Sequence, residues 1–172
     1  MQKNEGYMLK LPKNISTHPN IKAIETLFTK NLHLLHQDGK VKVPHMSFNE
    51  NVRNALKSIY ASKHLIQGLE AIGSHLDKEL KGLKALAKKS GETQNDRLSR
   101  LLILSNDGSE RFYHNAESIL NRHSSRSMAI IIEASSEELG EAFTKKSNPA
   151  KALLIDERKS LEAFLSAIAE TL

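Results

Sequence analysis

Three short apolar runs in the last third of the chain constrain its fold more than any other feature. They are Leu101-Leu102-Ile103-Leu104, Met128-Ala129-Ile130-Ile131-Ile132 and Ala152-Leu153-Leu154-Ile155. Each is stopped by polar residues: Ser105 to Ser109, Glu133 to Ser136, and Asp156. Runs of four or five residues between turn signals read as strands, and runs without alternation fit strands covered on both faces. Helical spacing follows each one, through Phe112, Ala116, Ile119 and Leu120, then Leu139, Ala142 and Phe143, then Leu161, Phe164, Leu165 and Ile168. Strand–helix units in series predict parallel pairing through right-handed crossovers. The expected class is α/β, a three-layer α/β/α sandwich with a short, mostly parallel sheet preceded by N-terminal helices.

Upstream the signals are helical. Residues 1–16 are polar with isolated apolar positions (Tyr7, Met8, Leu9, Leu11) and Pro12, and read as an extended arm. From Ser16 and Thr17, apolar residues at Ile21, Ile24, Leu27, Phe28, Leu32, Leu34 and Leu35 predict one helix of about five turns ending at Asp38-Gly39. Residues 40–46, with Val41, Val43 and Pro44, form an extended connector. Ser47-Phe48-Asn49-Glu50 has the Ser-to-Glu spacing of a reciprocal helix cap, which places a helix start at Ser47. From Val52, Leu56 and Ile59 the spacing of three and four continues through Ile66, Leu69, Ile72, Leu76, Leu80 and Leu83, which allows one helix to near Lys89. Gly68 and Gly73 oppose that, at about 1 kcal/mol each against alanine. His64-Leu65-Ile66-Gln67-Gly68 reads equally well as a short strand and turn, and both readings stand at this level. Residues 90–97 read as a linker. The expected division is 1–47 (arm and helix), 48–97 (amphipathic helical segment and linker) and 98–172 (α/β half).

Composition removes several function classes. The 172 residues include no Cys, which excludes disulfides, thiolate metal sites and thiol catalysis. The longest apolar run is far below the roughly 20 residues of a membrane span, and Lys3, Asn4 and Glu5 do not resemble a secretory leader. The expectation is a soluble, cytoplasmic, non-catalytic protein without a cofactor. Aromatic residues are 5% of the chain, too few for a base-stacking platform. Charge is segregated: residues 51–126 carry 13 basic and 8 acidic side chains, and residues 127–172 carry 5 and 8. A basic middle beside an acidic tail fits one surface that faces a polyanion, since clustered Lys and Arg gain most from counterion release, and fits a solvated helix face equally well.

Ligands of parallel sheets bind where strand ends meet helix starts. Those loops hold Ser105, Asn106, Asp107, Gly108 and Ser109, then Glu133, Ser135 and Ser136, then Asp156, Glu157 and Arg158. Asp107, Glu133 and Asp156 could converge on a hard cation such as magnesium in a cation-dependent enzyme, although Asp and Ser are also ordinary helix caps. Neither G-x-G-x-x-G nor G-x-x-x-x-G-K occurs. Ser109 and His114 have no evident orienting carboxylate for nucleophilic catalysis. His33-x-x-His36 with His45 beyond has a spacing that can hold a transition metal on a helix, or merely pack. The stronger signal is Lys81, Lys84 and Lys88 on one helical face, a pattern that grips nucleic-acid backbone without reading sequence or, with Asp77 and Glu79 interleaved, merely keeps a helix soluble.

The order of these elements resembles a family. Asn54 to Ile72 is similar to the first helix, first strand and Gly turn of the L7Ae/L30e-type RNA-binding proteins. Leu101 to Ser109 resembles their second strand and loop, Glu137-Glu138-Leu139-Gly140 their Leu-Gly helix start, and Lys151 to Asp156 their last strand. The resemblance covers residues 54–168 and implies one α/β/α domain that grips bent, structured RNA at the Gly turn and at the loop before the Leu-Gly helix. Carried over, Gln67 and Gly68 form the close backbone approach, Glu70 lies near an acidic base contact, and Ser135 and Ser136 lie in the second loop. Leu69 departs from the family's polar residue, the segment from Gly68 to Leu101 is longer, and residues 1–50 have no counterpart. A second likeness is to IcmQ-like accessory proteins of type IVB secretion, which have an N-terminal helical part, a polar linker and a C-terminal α/β half. It implies a protein partner held by a continuous helix over 48–89, with Leu69, Ile72, Leu76, Leu80 and Leu83 as its apolar stripe.

Overall fold

The computed structural model describes residues 9–91, 97–143 and 148–172. Helix α1 (Ile21–Thr29) precedes a small hairpin, β1 (His33–Leu34) and β2 (Lys42–Val43). Then come β3 (His45–Ser47), α2 (Glu50–Ala61), β4 (Leu65–Gln67), α3 (Leu69–Ser90), β5 (Arg100–Leu104) and α4 (Glu110–Arg122). The chain closes with β6 (Ser127–Glu133), α5 (Ser136–Glu141), β7 (Ala152–Ile155) and α6 (Arg158–Ala169).

The three apolar runs are the three central strands of a five-stranded sheet ordered β3-β6-β5-β7-β4. Strands β3, β6 and β5 run parallel, while β7 is antiparallel to both β5 and β4. Strand β4 therefore points the same way as β5, and β7 is the one reversed member. The sheet is mostly parallel as expected, but the third run does not pair parallel with the first. Helix α5 does not make the return crossing: its six residues rise only about 9 Å against about 23 Å for the seven-residue β6. The chain thus enters β7 at the end where it left β6.

Alternation along the strands divides the core. Leu101, Ile103, Ile130, Ile132, Leu153 and Ile155 pack with α1, α2, α5 and α6. Leu102, Leu104, Ala129, Ile131, Ala152 and Leu154 pack with α3, α4 and the hairpin residues Leu35 and Val43. These are the three layers of the α/β/α sandwich. The first cluster takes in Leu9, Leu11 and Ile15, so the segment 9–15 is anchored in the core by these apolar side chains. The Leu98 N–H donates to Lys10 O at 2.8 Å, and Arg97 Nη1 to Leu11 O at 2.8 Å. Packing therefore crosses both expected boundaries, at 47/48 and at 97/98. Residues 1–8 of the expected arm and 92–96 of the expected linker lie outside the described residues.

The N-terminal helix is shorter than its spacing predicts. It ends at Thr29, and Asn31 takes a left-handed φ of 55° that turns the chain into the hairpin. There Leu34 is 44% exposed and its neighbour Leu35 is 4% exposed, a strand's alternation that coincides with helical spacing over so few residues. The His33-x-x-His36 pair consequently lies on the hairpin and not on a helix. Helix α2 starts two residues later than expected: Asn49 is the cap, accepting from the Val52 N–H at 3.0 Å, and Ser47 closes β3. Residues 48–90 are two helices with a strand between them, so the continuous helix over 48–89 is not formed. Gly68 makes the break, with φ +95°, and its N–H donates to Ala152 O at 2.9 Å. An L side chain is strained in that conformation, which is why glycine stands there.

Candidate nucleic-acid interface

The carboxyl ends of β4, β5 and β6 and the start of β7 lie at one end of the sheet, because β7 is reversed. Residues 149–152 stitch that end together. Gln67 Nε2 donates to Pro149 O at 3.0 Å, the Ala150 N–H to Ser136 O at 2.8 Å, and the Ser105 N–H to Lys151 O at 2.9 Å. The Gly turn and the loop before α5, far apart in sequence, are thereby held on one rim. Between the starts of α3 and α4 the rim opens into a cleft of about 560 Å³. Its walls include Gln67, Gly68, Glu70, Arg111, Asn115 and Lys151.

Electrostatics favour an anion there. Arg111 and Lys151 are exposed beside the single acid Glu70 on these walls. Helix α3 opens at Gly68 without a side-chain cap, so its first N–H groups and the positive end of its dipole face the cleft uncovered. Arg111 and Lys151 were not among the residues expected from sequence. The only signal for Lys151 was its place before the third apolar run, and a parallel β7 would have put it at the opposite end.

The second loop is more closed. Ser135 caps α5, its hydroxyl accepting from the Glu138 N–H at 3.1 Å. Ser136 is 6% exposed, and both its N–H (2.9 Å) and its hydroxyl (3.0 Å) donate to Asp107 Oδ2. Ser105 Oγ donates to Asp107 Oδ1 at 2.7 Å. Ser136 thus fastens the loop rather than offering itself to a ligand. Burial pushes the Asp107 carboxyl up, but the bonds from Ser136 and Ser105 outweigh it and hold the group below its ordinary 3.8. A depressed folded value means stability that is present above 3.8 and lost as pH falls through the folded value. Asp107→Asn should accordingly be less stable than the parent at pH 7 in urea titrations, and the gap should close as the solution is acidified below the ordinary carboxylate range. A gap unchanged in acid would refute the clamp.

The three acids expected to converge on a cation do not meet. Asp107 is taken up by Ser105 and Ser136, and Glu133 ends β6 near the edge strand β3, in register with Ser47. Asp156, because β7 is reversed, emerges at the opposite end of the sheet, with Oδ1 3.1 Å from His64 Nδ1 and Oδ2 3.8 Å from His75 Nε2. Among the described residues no group of three or more His, Asp or Glu is placed to hold a metal ion. His33 and His45 stack edge-on with ring centroids 4.7 Å apart, and His36 Nε2 lies 3.0 Å from Glu117 Oε2.

Helix α3 separates the expected RNA residues. Its 22 residues span about 33 Å, and Lys81, Lys84 and Lys88 lie about 18 to 29 Å along it from Leu69. They are exposed, but they do not flank the Gly68 turn. The expected partner stripe on the same helix is partly interior: Ile72 and Leu76 are 0% and 1% exposed in the second core cluster, while Leu69, Leu80 and Leu83 are half-buried. Among the described residues no helix is long and apolar enough to cross a membrane.

No family model matches the chain, and no curated protein matches it. Among solved structures it is similar to the Giardia lamblia 15.5kD RNA binding protein, at 14% identity and a TM-score of 0.47, over 72% of this chain and 89% of that one. It is also similar to a protein with unknown function from Bacillus halodurans, at 16% identity and a TM-score of 0.44, over 70% of this chain and 97% of that one.

Proposed function

We propose that this chain is a non-catalytic binding module for structured RNA, and that it engages RNA with the Gly68 end of its sheet. The observation that carries the reading is the cleft in which the uncapped start of α3 faces exposed Arg111 and Lys151. Phosphate suits such a place, since backbone N–H groups, a helix dipole and two cations all favour negative charge. Gln67, Glu70 and Asn115 add amide donors, amide oxygens and a carboxylate that can meet base edges, which phosphate contacts alone cannot read. The sequence resemblance over residues 54–168 supports the same end of the molecule, through Gly68 and Glu70. Ser135 and Ser136 contribute by holding the rim, not by direct contact.

The test is fluorescence anisotropy with a labelled RNA stem–loop carrying an internal bulge, titrated over a range of salt. Binding should weaken steeply with salt, and the double variant Arg111→Glu/Lys151→Glu should bind about tenfold or more weakly with a log–log salt slope shallower by about 1.8. Absent or salt-independent binding, or a double variant with parental affinity, would refute the reading.

A further inference from the structure

The Gly68 end leaves the far half of α3 unaccounted for. Strand β5 is five residues, about 17 Å, whereas α3 runs about 33 Å, so the helix overshoots the sheet. Ion pairs at Asp77 and Glu79 tie its middle to the body of the protein. His123 Nε2 lies 2.8 Å and Arg122 Nε 3.5 Å from Asp77 Oδ1. Arg100 grips Glu79 through Nη2 at 2.6 Å and Nε at 3.1 Å, and Arg126 Nη2 lies 3.0 Å from Glu79 Oε1. In the sequence these two acids interleave with the lysines and look like their neutralising partners. In the structure both are drawn to the body of the protein and paired there. Residues 80–91 then contain Lys81, Lys84, Lys88 and Lys89 and no acid. All four lysines are exposed, and among the described residues none makes an ion pair.

We propose that this overhang is a second contact to the same RNA, with Lys81, Lys84 and Lys88 gripping the phosphate backbone of a stem that continues from the Gly68 end. The inference rests on the RNA reading above and adds the size and form of the ligand: a stem that reaches at least 18 to 29 Å along α3, roughly. Helical geometry sets these three lysines within an arc of about 60°, centred roughly 90° around the helix from the half-buried Leu80, Leu83 and Ala87. Leu86, at 62% exposure, is the one large apolar side chain left bare on the overhang. A lipid surface would need apolar and basic side chains presented to one plane. A phosphate backbone needs only the cations.

The experiment uses the full chain and two labelled RNA hairpins of about 6 and 24 base pairs, the shorter unable to reach from Gly68 to Lys88. Lys81→Glu/Lys84→Glu/Lys88→Glu should weaken binding of the long hairpin about tenfold or more and lower its log–log salt slope by about 2.7, while the short hairpin binds as before. The matching Gln variant should lose affinity in the same sense but less, and both should melt at the parental temperature, since the residues are exposed. Parental affinity of the triple variant for the long hairpin, with the short hairpin still bound, overturns the overhang contact and spares the Gly68 end. Failure of the parent to bind either hairpin overturns both. Loss of binding to vesicles containing phosphatidylserine, with long-hairpin binding intact, would overturn it in favour of a membrane surface.

Discussion

Leu76→Asp should unfold this protein. Leu76 is 1% exposed and sits among Ile72, Leu102, Leu104, Ala116, Ile119 and Leu120 on the α3–α4 face of the sheet. A carboxylate there loses its water among apolar side chains, and the leucine's packing is forfeited as well. Either effect is large, and together they come to about 4 kcal/mol or more against the 5–15 kcal/mol total stability typical of a domain. Circular dichroism and chemical denaturation should find the variant unfolded or barely folded at 25 °C. The result discriminates between functions. If α3 instead docked a partner through its apolar stripe, Leu76→Asp would abolish a complex and leave the sheet intact, so a stably folded variant would revive that alternative.

Gly140→Ala is the second large effect. The added Cβ would fall on the Asn148 carbonyl oxygen, 2.9 Å from the Asn148 carbonyl carbon and 3.3 Å from the Ala150 nitrogen. Those are backbone atoms, which cannot swing aside as a side chain can. The segment they belong to is fixed by the Ala150-to-Ser136 and Gln67-to-Pro149 hydrogen bonds. Relief therefore means moving the passage into β7, at a cost of about 2–3 kcal/mol. Because that passage carries Lys151, RNA affinity should fall together with stability. The Arg111→Glu/Lys151→Glu variant, whose side chains are exposed, should lose affinity alone. An unchanged urea midpoint for Gly140→Ala would contradict the close approach.

What was legible in the sequence was whatever short-range chemistry decides. The apolar runs became β5, β6 and β7. Ser109 and Ser135 cap α4 and α5, as polar residues after apolar runs should, with hydroxyls accepting from Phe112 and Glu138. What stayed hidden depends on long-range pairing. The direction of β7 could not be read, since four consecutive apolar residues look alike from either end. With it were hidden the dispersal of Asp107, Glu133 and Asp156 and the arrival of Lys151 beside Gly68. The fork at residues 64–68 closed toward a strand because β7 offers β4 a partner, with Leu65 opposite Ile155 and Gln67 opposite Leu153. No local preference encodes that. The hairpin is hidden because Leu32, Leu34 and Leu35 satisfy helical and strand spacing alike, and only the turn at Asn31 separates the two.

The reversal of β7 also removes a freedom that binding surfaces made of loops usually have. Successive β7 residues face opposite layers, so sliding the strand by one position would drive Leu153 and Ile155 into the layer built for Ala152 and Leu154. The same slide would pull Pro149 from Gln67, Ala150 from Ser136 and Lys151 from Ser105 in a single movement. The geometry of the rim is therefore indexed by the hydrophobic interior, and a ligand that selected one spacing of Gly68 from Lys151 would in effect be reading the registration of the strand behind them.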